Sequence, residues 1–390
     1  MSLTKDSLAG ILRKHYEGCS LDIPNLPRRA IAWNAYNRHN GYNTVSELRK
    51  ALIEECPENA FYSTARYLDP HATAGPGRAS ETWKKKDRKA TDLTFDLDFD
   101  HISGHEEISY REQMQSIATH TLRLIKLLED QYGVKDYDIS FSGRRGFHVK
   151  VYDEEYIYLD KASRKAIMNQ ITGQHLDKRC TLRGYQTNPT AGELSFRLML
   201  PSTHSWGGLI RRTCDNIVHG IDSGLYDPID FIKTNWPKKL TPKEIKILSE
   251  RFCAPNIRRR LESTGDLRAF LGEKYATKAR LENMYNMLAT LAKEHHGVAI
   301  DESVTAEVNK LIRMHGSINT KHGYECRKIE KEELEDLEYL FYNCEQTFGY
   351  EKVSVDIPHA MTVHGNRTFT LEQGTVSLPM HEAVLALCQI

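Results

Sequence analysis

Residues Leu93 to Asp100 read LTFDLDFD, and apolar and acidic residues alternating at a period of two are the pattern of a β-strand with one core face. Leu93, Phe95, Leu97 and Phe99 go to one side, while Asp96, Asp98 and Asp100 go to the other. Two carboxylates about 4 Å apart repel by roughly 4 kcal/mol at an effective dielectric near 20. A domain's whole stability is only about 5–15 kcal/mol. A cation is therefore expected on the acidic face, the plainer reading being an edge strand with its carboxylates in water.

A second run favours the first reading. Asp138 to Val151 reads DISFSGRRGFHVKV, two more alternating stretches joined by Gly143, Arg144, Arg145 and Gly146. Ile139, Phe141, Phe147, Val149 and Val151 form an apolar set and leave Ser140, Ser142, His148 and Lys150 for the opposite face. Between the two runs, Met114, Ile117, Thr121, Leu124 and Leu128 recur at helical spacing and stop at Tyr132-Gly133. The order strand, helix, strand, turn, strand predicts a parallel crossover that puts the carboxylates and the Ser/Arg/His turn on one side of one sheet.

Composition narrows the classes. With 53 basic and 53 acidic residues in 390, no global field draws the chain onto nucleic acid or an anionic membrane. Any polyanion must be held by local basic runs, such as Lys84 to Lys89, Arg144-Arg145, Arg211-Arg212 and Arg258 to Arg260. Each alone is ordinarily a solvated face, but the first two flank the carboxylates. The eight cysteines are scattered without a CxxC pair, which argues against a local zinc or iron–sulfur motif and for reduced thiols in a cytoplasmic protein. No stretch approaches the length of a membrane span and no secretory leader is visible, so no membrane role is expected.

A third run, Val298 to Gly323, reads VAIDESVTAEVNKLIRMHGSINTKHG. It predicts a short apolar strand delivering Asp301, a helix carrying Val304, Val308, Leu311 and Ile312 inward, and a turn with Arg313, Asn319 and Lys321. Alone, such an aspartate is ordinarily a helix cap. The region 206–296, punctuated by Pro237, Pro242 and Pro255, reads as a mainly helical inserted subdomain, with 1–205 and 297–390 as the core around it.

Taken together, FDLDFDH (Phe95 to His101), FSGRRGFHV (Phe141 to Val149) and IDESVTAEVNKLIRMHGSINTKHG (Ile300 to Gly323) resemble, in order and spacing, the motifs of the catalytic small subunit of archaeal and eukaryotic DNA primases. The resemblance extends to Arg38-His39, the AFYSTARY run (Ala60 to Tyr67) and the stretch from Val353 to Leu387. It implies an α+β fold, a primase catalytic core whose mixed β-sheet forms an RRM-like palm flanked by helices, with a smaller helical subdomain. It implies that Asp96, Asp98 and Asp301 are catalytic and hold two divalent ions, Mg²⁺ or Mn²⁺, as an all-oxygen ligand set suits. It implies too that Ser142, Arg144, Arg145, His148, Arg313, Asn319 and Lys321 bind the incoming nucleoside triphosphate. The activity implied is template-directed synthesis of short RNA primers, with DNA primers within the same chemistry, on single-stranded DNA. The implied partner is a primase large subunit carrying an iron–sulfur domain.

Two departures stand out. Asn319 occupies the place of a phosphate-contacting histidine, replacing a charge-assisted bond with a neutral one and costing on the order of tenfold in nucleotide affinity. From His101 to Met114 there is no cysteine where many members carry a zinc knuckle, so no structural zinc is expected. Among rivals, a sugar-nucleotide transferase with a DxD strand needs neither the SGRRGFH turn nor Asp301. An Asp-nucleophile phosphatase is disfavoured by Asp100 two residues after Asp98. A non-catalytic nucleic-acid-binding subunit has no use for all three carboxylates. A translesion or end-joining primase-polymerase of the same superfamily is the nearest alternative.

Overall fold

The computed structural model describes residues 2–34, 37–75, 79–101, 108–183, 196–198, 205–272 and 274–390, with the backbone alone for Asn37, Ala79 and His101. The chain divides into two compact units, Met1–Met168 with Ala299–Ile390, and Asn169–Val298. Both helices and strands build the first, giving the expected α+β class.

Its strands, in chain order, are β1 (Ile31–Trp33), β2 (Asn37–Asn40), β3 (Ala60–Ser63), β4 (Ala65–Tyr67), β5 (Arg88–Thr91), β6 (Leu93–Asp98), β7 (Tyr137–Phe141) and β8 (Gly146–Val151). The second unit holds the short pair β9 (Leu182–Arg183) and β10 (Arg197–Leu198), after which the first resumes with β11 (Leu311–Arg313) and β12 (Arg327–Ile329). One four-stranded sheet has the order β12-β7-β8-β6 and another β11-β3-β1-β2.

The first of these sheets carries the acidic run, and its register explains the alternation. Phe95 lies opposite Val149, and Leu97 opposite Phe147, on one face. Asp96 pairs with His148 and Ser140 with His148 on the other. The apolar face is covered by the Tyr110–Tyr132 helix, which buries Met114, Ile117, Leu124 and Leu128. That helix begins at a Ser109/Glu112 capping box and ends at Gly133, whose φ of 65° suits a residue without Cβ.

Three expectations change in detail. β6 and β7 run parallel, but they do not pair: β8 lies between them, antiparallel to both, because the short 142–145 turn folds the hairpin back before β7 reaches β6. The acidic strand stops at Asp98, and Phe99–His101 form a tight turn, with Phe99 buried and its N–H donated to Arg145 O at 3.2 Å. After Asp301 there is only a five-residue helix, Glu302–Ala306, and Leu311–Arg313 is a strand on β3 where the spacing predicts helix. The free edge of β3 takes up those backbone groups, and Ile312 still reaches the core by strand alternation.

The second unit is mainly helical around Ile210, Cys214, Leu267, Phe270, Leu281 and Leu288. Two of the basic runs lie partly inside their own unit: Arg211 is buried and paired with Asp215 at 3.0 Å, and Arg258 pairs with Asp222. Lys86, from the run before the acidic strand, is buried as well and donates to Pro70 O. The 184–195 and 199–204 stretches, including most of the alternating run from Gly192 to Leu200, lie outside the described residues.

What fixes the start of β6 is a buried charge pair. Asp92 is 2% exposed and accepts from Arg29 and from Arg66, the latter at 2.7 Å. Arg29 is fully buried and also donates to the carbonyls of Ser63 at 3.0 Å and Thr64 at 2.6 Å, so β3, β4 and β6 are stapled at one point. Losing Arg29 leaves the buried Asp92 with Arg66 alone and takes a donor from the Ser63 and Thr64 carbonyls, and breaking a buried ion pair in this way costs about 3–5 kcal/mol. Arg29→Met is therefore expected to lower the unfolding free energy by that amount in a denaturant titration, and a loss under about 1 kcal/mol would contradict the staple.

Candidate active site

The sheet's polar face sets the first two carboxylates. Asp96 is 25% exposed and lies 3.6 Å from His148 Nε2, while Asp98 Oδ1 accepts from the Asp100 N–H at 3.0 Å. The third comes from 203 residues further along: β6 is an edge strand, and its Asp96 carbonyl accepts the Asp301 N–H at 2.7 Å. Asp301 caps the following short helix through Ser303 N at 2.7 Å, as a lone aspartate would, but it does so against β6. Burial first, then the charges of Asp98 and Asp301, push the Asp96 carboxyl up to about 7. Among the described residues no group of three His, Cys, Asp or Glu side chains closes into a ready metal cage. The charges of Asp98 and Asp301 nonetheless meet at Asp96, and carboxylate oxygens of this kind are ligands for hard cations.

Next to the carboxylates is the turn of the β7–β8 hairpin. Gly146 sits opposite Asp98, where a Cβ would lie 2.4 Å from Leu97 O, and Gly143 has φ +76° with a Cβ position 2.6 Å from Tyr324 O. Only glycine lets the turn lie flat on the strand end at one side and on residues 319–326 at the other. Ser142 N donates to Gly146 O at 2.9 Å and closes the turn. Arg145 Nη2 reaches Asp100 Oδ1 at 2.5 Å and Arg144 Nη1 lies 3.6 Å from Asp100 Oδ2. Sequence alternation places Asp100 in the carboxylate row; its partnership with the two guanidiniums follows from the turn at Phe99 and was not legible in the spacing.

Among the described residues, several polar atoms of this corner are buried without a partner, namely Ser140 Oγ, Ser142 Oγ, Arg145 Nε and His148 Nδ1. Orphaned buried donors and acceptors are costly, so their concentration here marks a surface made to receive a polar ligand. His148 stays neutral, because burial, then Lys150 and Arg313, push its imidazole down to about 3. It can offer a hydrogen bond, and it does not hold an exchangeable positive charge at neutral pH.

Arg313 arrives from β11. Its guanidinium lies 4.9 Å from the centroid of the Phe61 ring and Nη1 donates to Asn59 Oδ1 at 2.7 Å, a fixed direction from which its charge acts on Asp96. Asn319 is buried and uses both ends of its side chain inside the protein: Nδ2 donates to Ser142 O at 3.2 Å and Oδ1 accepts from Lys321 N at 3.2 Å. Lys321 is exposed on the same loop. Two partnerships were not legible in the sequence. Tyr110 donates its hydroxyl to Arg144 O at 2.5 Å, and Lys150, on the sheet's polar face, donates to Tyr62 Oη and His315 Nε2, each at 2.8 Å. Tyr110 had only a place at a helix start, and Tyr62 and His315 lie in segments whose pairing sequence does not show.

His105, Glu106 and Glu107, in the segment read as lacking a zinc knuckle, lie outside the described residues, as do their neighbours from 102 onward. No described helix is long and apolar enough to cross a membrane.

Comparison with known proteins bears on the whole chain. The chain is 26% identical over 405 residues to the DNA primase small subunit PriS of Methanococcoides burtonii, covering 99% of this chain and 97% of that relative. It is 26% identical over 380 residues to PriS of Picrophilus torridus, covering 95% and 93%. With PriS of Methanocella arvoryzae it shares 27% over 366 residues, 91% and 87%. A solved structure, the polymerase domain of Mycobacterium tuberculosis Ligase D in complex with DNA, matches 47% of this chain and 65% of that one at 16% identity and a TM-score of 0.24, too slight a likeness to argue from. The family model described as DNA primase small subunit matches residues 95–330, more than half of the chain and a span that contains all three acidic residues, the arginine turn and Arg313. The chain belongs to the DNA primase small subunit family.

Proposed function

We propose that this chain is the catalytic subunit of a primase, making short RNA primers on a single-stranded DNA template by nucleotidyl transfer. The observation that carries the reading is the Asp301 N–H···O=C Asp96 bond of 2.7 Å, which joins carboxylates from two remote segments beside an arginine-bearing turn. Asp96, Asp98 and Asp301 would hold the divalent ions, Mg²⁺ or Mn²⁺, and no zinc is invoked. Such ions, when bound, activate a 3′-hydroxyl and stabilise the charge on departing pyrophosphate. Arg144 and Arg145 present planar donors to phosphate oxygens, with Ser142 Oγ and neutral His148 adding hydrogen bonds and Arg313 a fixed positive charge. Asn319 supports the turn from beneath, and Lys321 stands on the same loop to meet the outer phosphates. Template pairing chooses the base, so the protein grips backbone and triphosphate only.

The reading includes a primase large subunit with an iron–sulfur domain as partner, nucleoside triphosphates as substrates and a cytoplasmic place of work. It also includes a catalytic core and a helical insertion, expected from sequence at 1–205 with 297–390 and at 206–296, while the compact units divide earlier, at Met168 and Asn169.

Two outcomes are expected. With poly(dT), ATP and Mn²⁺ or Mg²⁺, the wild-type chain makes oligonucleotide and the Asp96→Asn, Asp98→Asn variant falls to background. Arg144→Ala raises the KM for ATP about tenfold, the worth of one charge-assisted bond, with a smaller change in kcat. Equal product from wild type and the double variant would overturn the assignment.

The raised Asp96 carboxyl gives a pH test with a definite sign. The folded chain holds that proton more tightly than the unfolded one, so without cation stability falls as pH rises from the ordinary value of 3.8 to about 7, and the penalty is constant above. A divalent cation relieves the penalty only where the carboxylate is ionised. Thermal unfolding should therefore show a larger Mn²⁺-induced Tm increase at about pH 8 than at about pH 5.5, and none in Asp96→Asn. A shift equal at both pH values would show that the cation binds elsewhere.

A further inference from the structure

The turn carrying Arg144 and Arg145 has two carbonyls, each held by a different element. Asn319 Nδ2 donates to Ser142 O at 3.2 Å, and the Tyr110 hydroxyl donates to Arg144 O at 2.5 Å. Tyr110 starts a helix at the far end of the acidic run, and Asn319 belongs to the loop after β11. One residue joins these two holds. His322 donates its backbone N–H to Asn319 O at 2.9 Å, and its ring stacks on Tyr110 with centroids 4.8 Å apart and planes 21° from parallel. The circuit is closed by Tyr324, whose carbonyl accepts Asn319 N at 2.8 Å and lies against Gly143.

We propose that His322, through its stack on Tyr110 and its backbone bond to Asn319, is a positioning residue that holds the Arg144/Arg145 turn in the direction needed to receive a nucleoside triphosphate.

Its chemistry suits a brace. The side chain is buried, 6% exposed, and Nε2 has no partner among the described residues. Burial first, then the charges of Arg144, Arg145 and His364, push the imidazole down to about 3, so it stays a neutral aromatic plate. A protonated ring there would repel the guanidiniums it supports. Arginines free to sample several directions lose rotamer and backbone entropy when they grip phosphate, and a held turn has lost it in advance. Removing the plate should therefore weaken nucleotide binding more than turnover of bound nucleotide.

The inference rests on the reading of Arg144 and Arg145 as triphosphate ligands, and the experiment separates the two. Equilibrium binding of ATP with Mn²⁺ is measured for wild type, Arg144→Ala, His322→Ala, His322→Phe and Tyr110→Phe, with KM and kcat for primer synthesis alongside. His322→Ala and Tyr110→Phe are expected to weaken ATP binding and raise KM about tenfold with kcat within about threefold, and His322→Phe, which keeps the stack, to remain within about twofold of wild type. If Arg144→Ala binds ATP like wild type, the parent reading falls and the brace with it. If Arg144→Ala is weakened but His322→Ala and Tyr110→Phe are not, the brace alone is wrong. Equal losses in His322→Phe and His322→Ala would also overturn it, since a ring nitrogen and not the stack would then be the working part. Should His322→Ala fail to fold, His322→Leu, which fills the space without a flat ring to stack on Tyr110, decides by the same criterion.

Discussion

The bond that ties the Asp301 segment to the free edge of β6 beside Asp96 is the constraint on which the polar face of this unit depends. Two carboxylates about 4 Å apart repel by roughly 4 kcal/mol near a protein surface, a sizeable part of any domain's margin, and the charges of Asp98 and Asp301 do reach the Asp96 carboxyl. A flexible chain would relieve that cost by spreading the residues. Here the backbone forbids it: Asp96 is fixed by its ladder partner His148, and Asp301 is tied to the Asp96 carbonyl at 2.7 Å on the strand's free edge. An unpaired edge is ordinarily a liability, and the 301 segment covers this one at the point where its charge is least welcome. Such an arrangement needs both ends of the strand held in place. The Arg29–Asp92–Arg66 staple holds it at the beginning of β6, and the Phe99 N–H to Arg145 O bond holds it at the end.

The alternating runs were legible because period-two patterning is a property of the backbone. Leu93 to Asp98 and Ile139 to Val151 therefore paired with the faces that their residues dictate, and the helix between them stopped at the expected Gly133. The same patterning misled at Asp100. Alternation continues through Phe99 in the sequence, but the chain turns there because the Phe99 ring has a core to enter and its N–H an acceptor on the neighbouring turn. Leu311–Arg313 failed for a different reason. Val308, Leu311 and Ile312 satisfy a helical stripe, and only the free edge of β3, a long-range fact, makes a strand the better use of their backbone. The insertion of β8 between β6 and β7 is equally non-local, since chain order says nothing about which neighbour a hairpin will choose.

Charge counting was informative in sum and poor in detail. Equal numbers of acids and bases leave no net field, yet runs such as Lys84 to Lys89 suggested basic surfaces. Lys86 turns inward to a carbonyl, and Arg211 is spent on Asp215 within its own unit. Arg144 and Arg145 also have an acid, Asp100, but they keep about a third and a fifth of their side-chain surface open, at 34% and 22%. The difference between these arginines thus lies less in the neighbouring sequence or in the partner than in the burial of the guanidinium itself, since Arg211 is 2% and Arg258 11% exposed. Asp100 is 53% exposed, so its hold on the pair is one that a more highly charged anion can contest.

The second sheet completes the argument, since a site that concentrates negative charge needs positive charge fixed at a chosen distance. A cation free to move would fall onto the carboxylates and neutralise them. Arg313 is denied that freedom by the Phe61 ring beneath it and by Asn59 at its Nη1, and Lys150 is tethered to Tyr62 and His315. Burial pushes Lys150 down to about 8, so it sits close to the point where its charge becomes optional, and with Arg313 it helps keep His148 neutral. Neutrality there matters because an imidazolium 3.6 Å from Asp96 would form an ion pair with it and occupy the place proposed above for a divalent ion. Both cations, held on β3 and its neighbours, therefore act on the corner from a distance, Arg313 drawing the Asp96 carboxyl down against the burial and the charges that push it up.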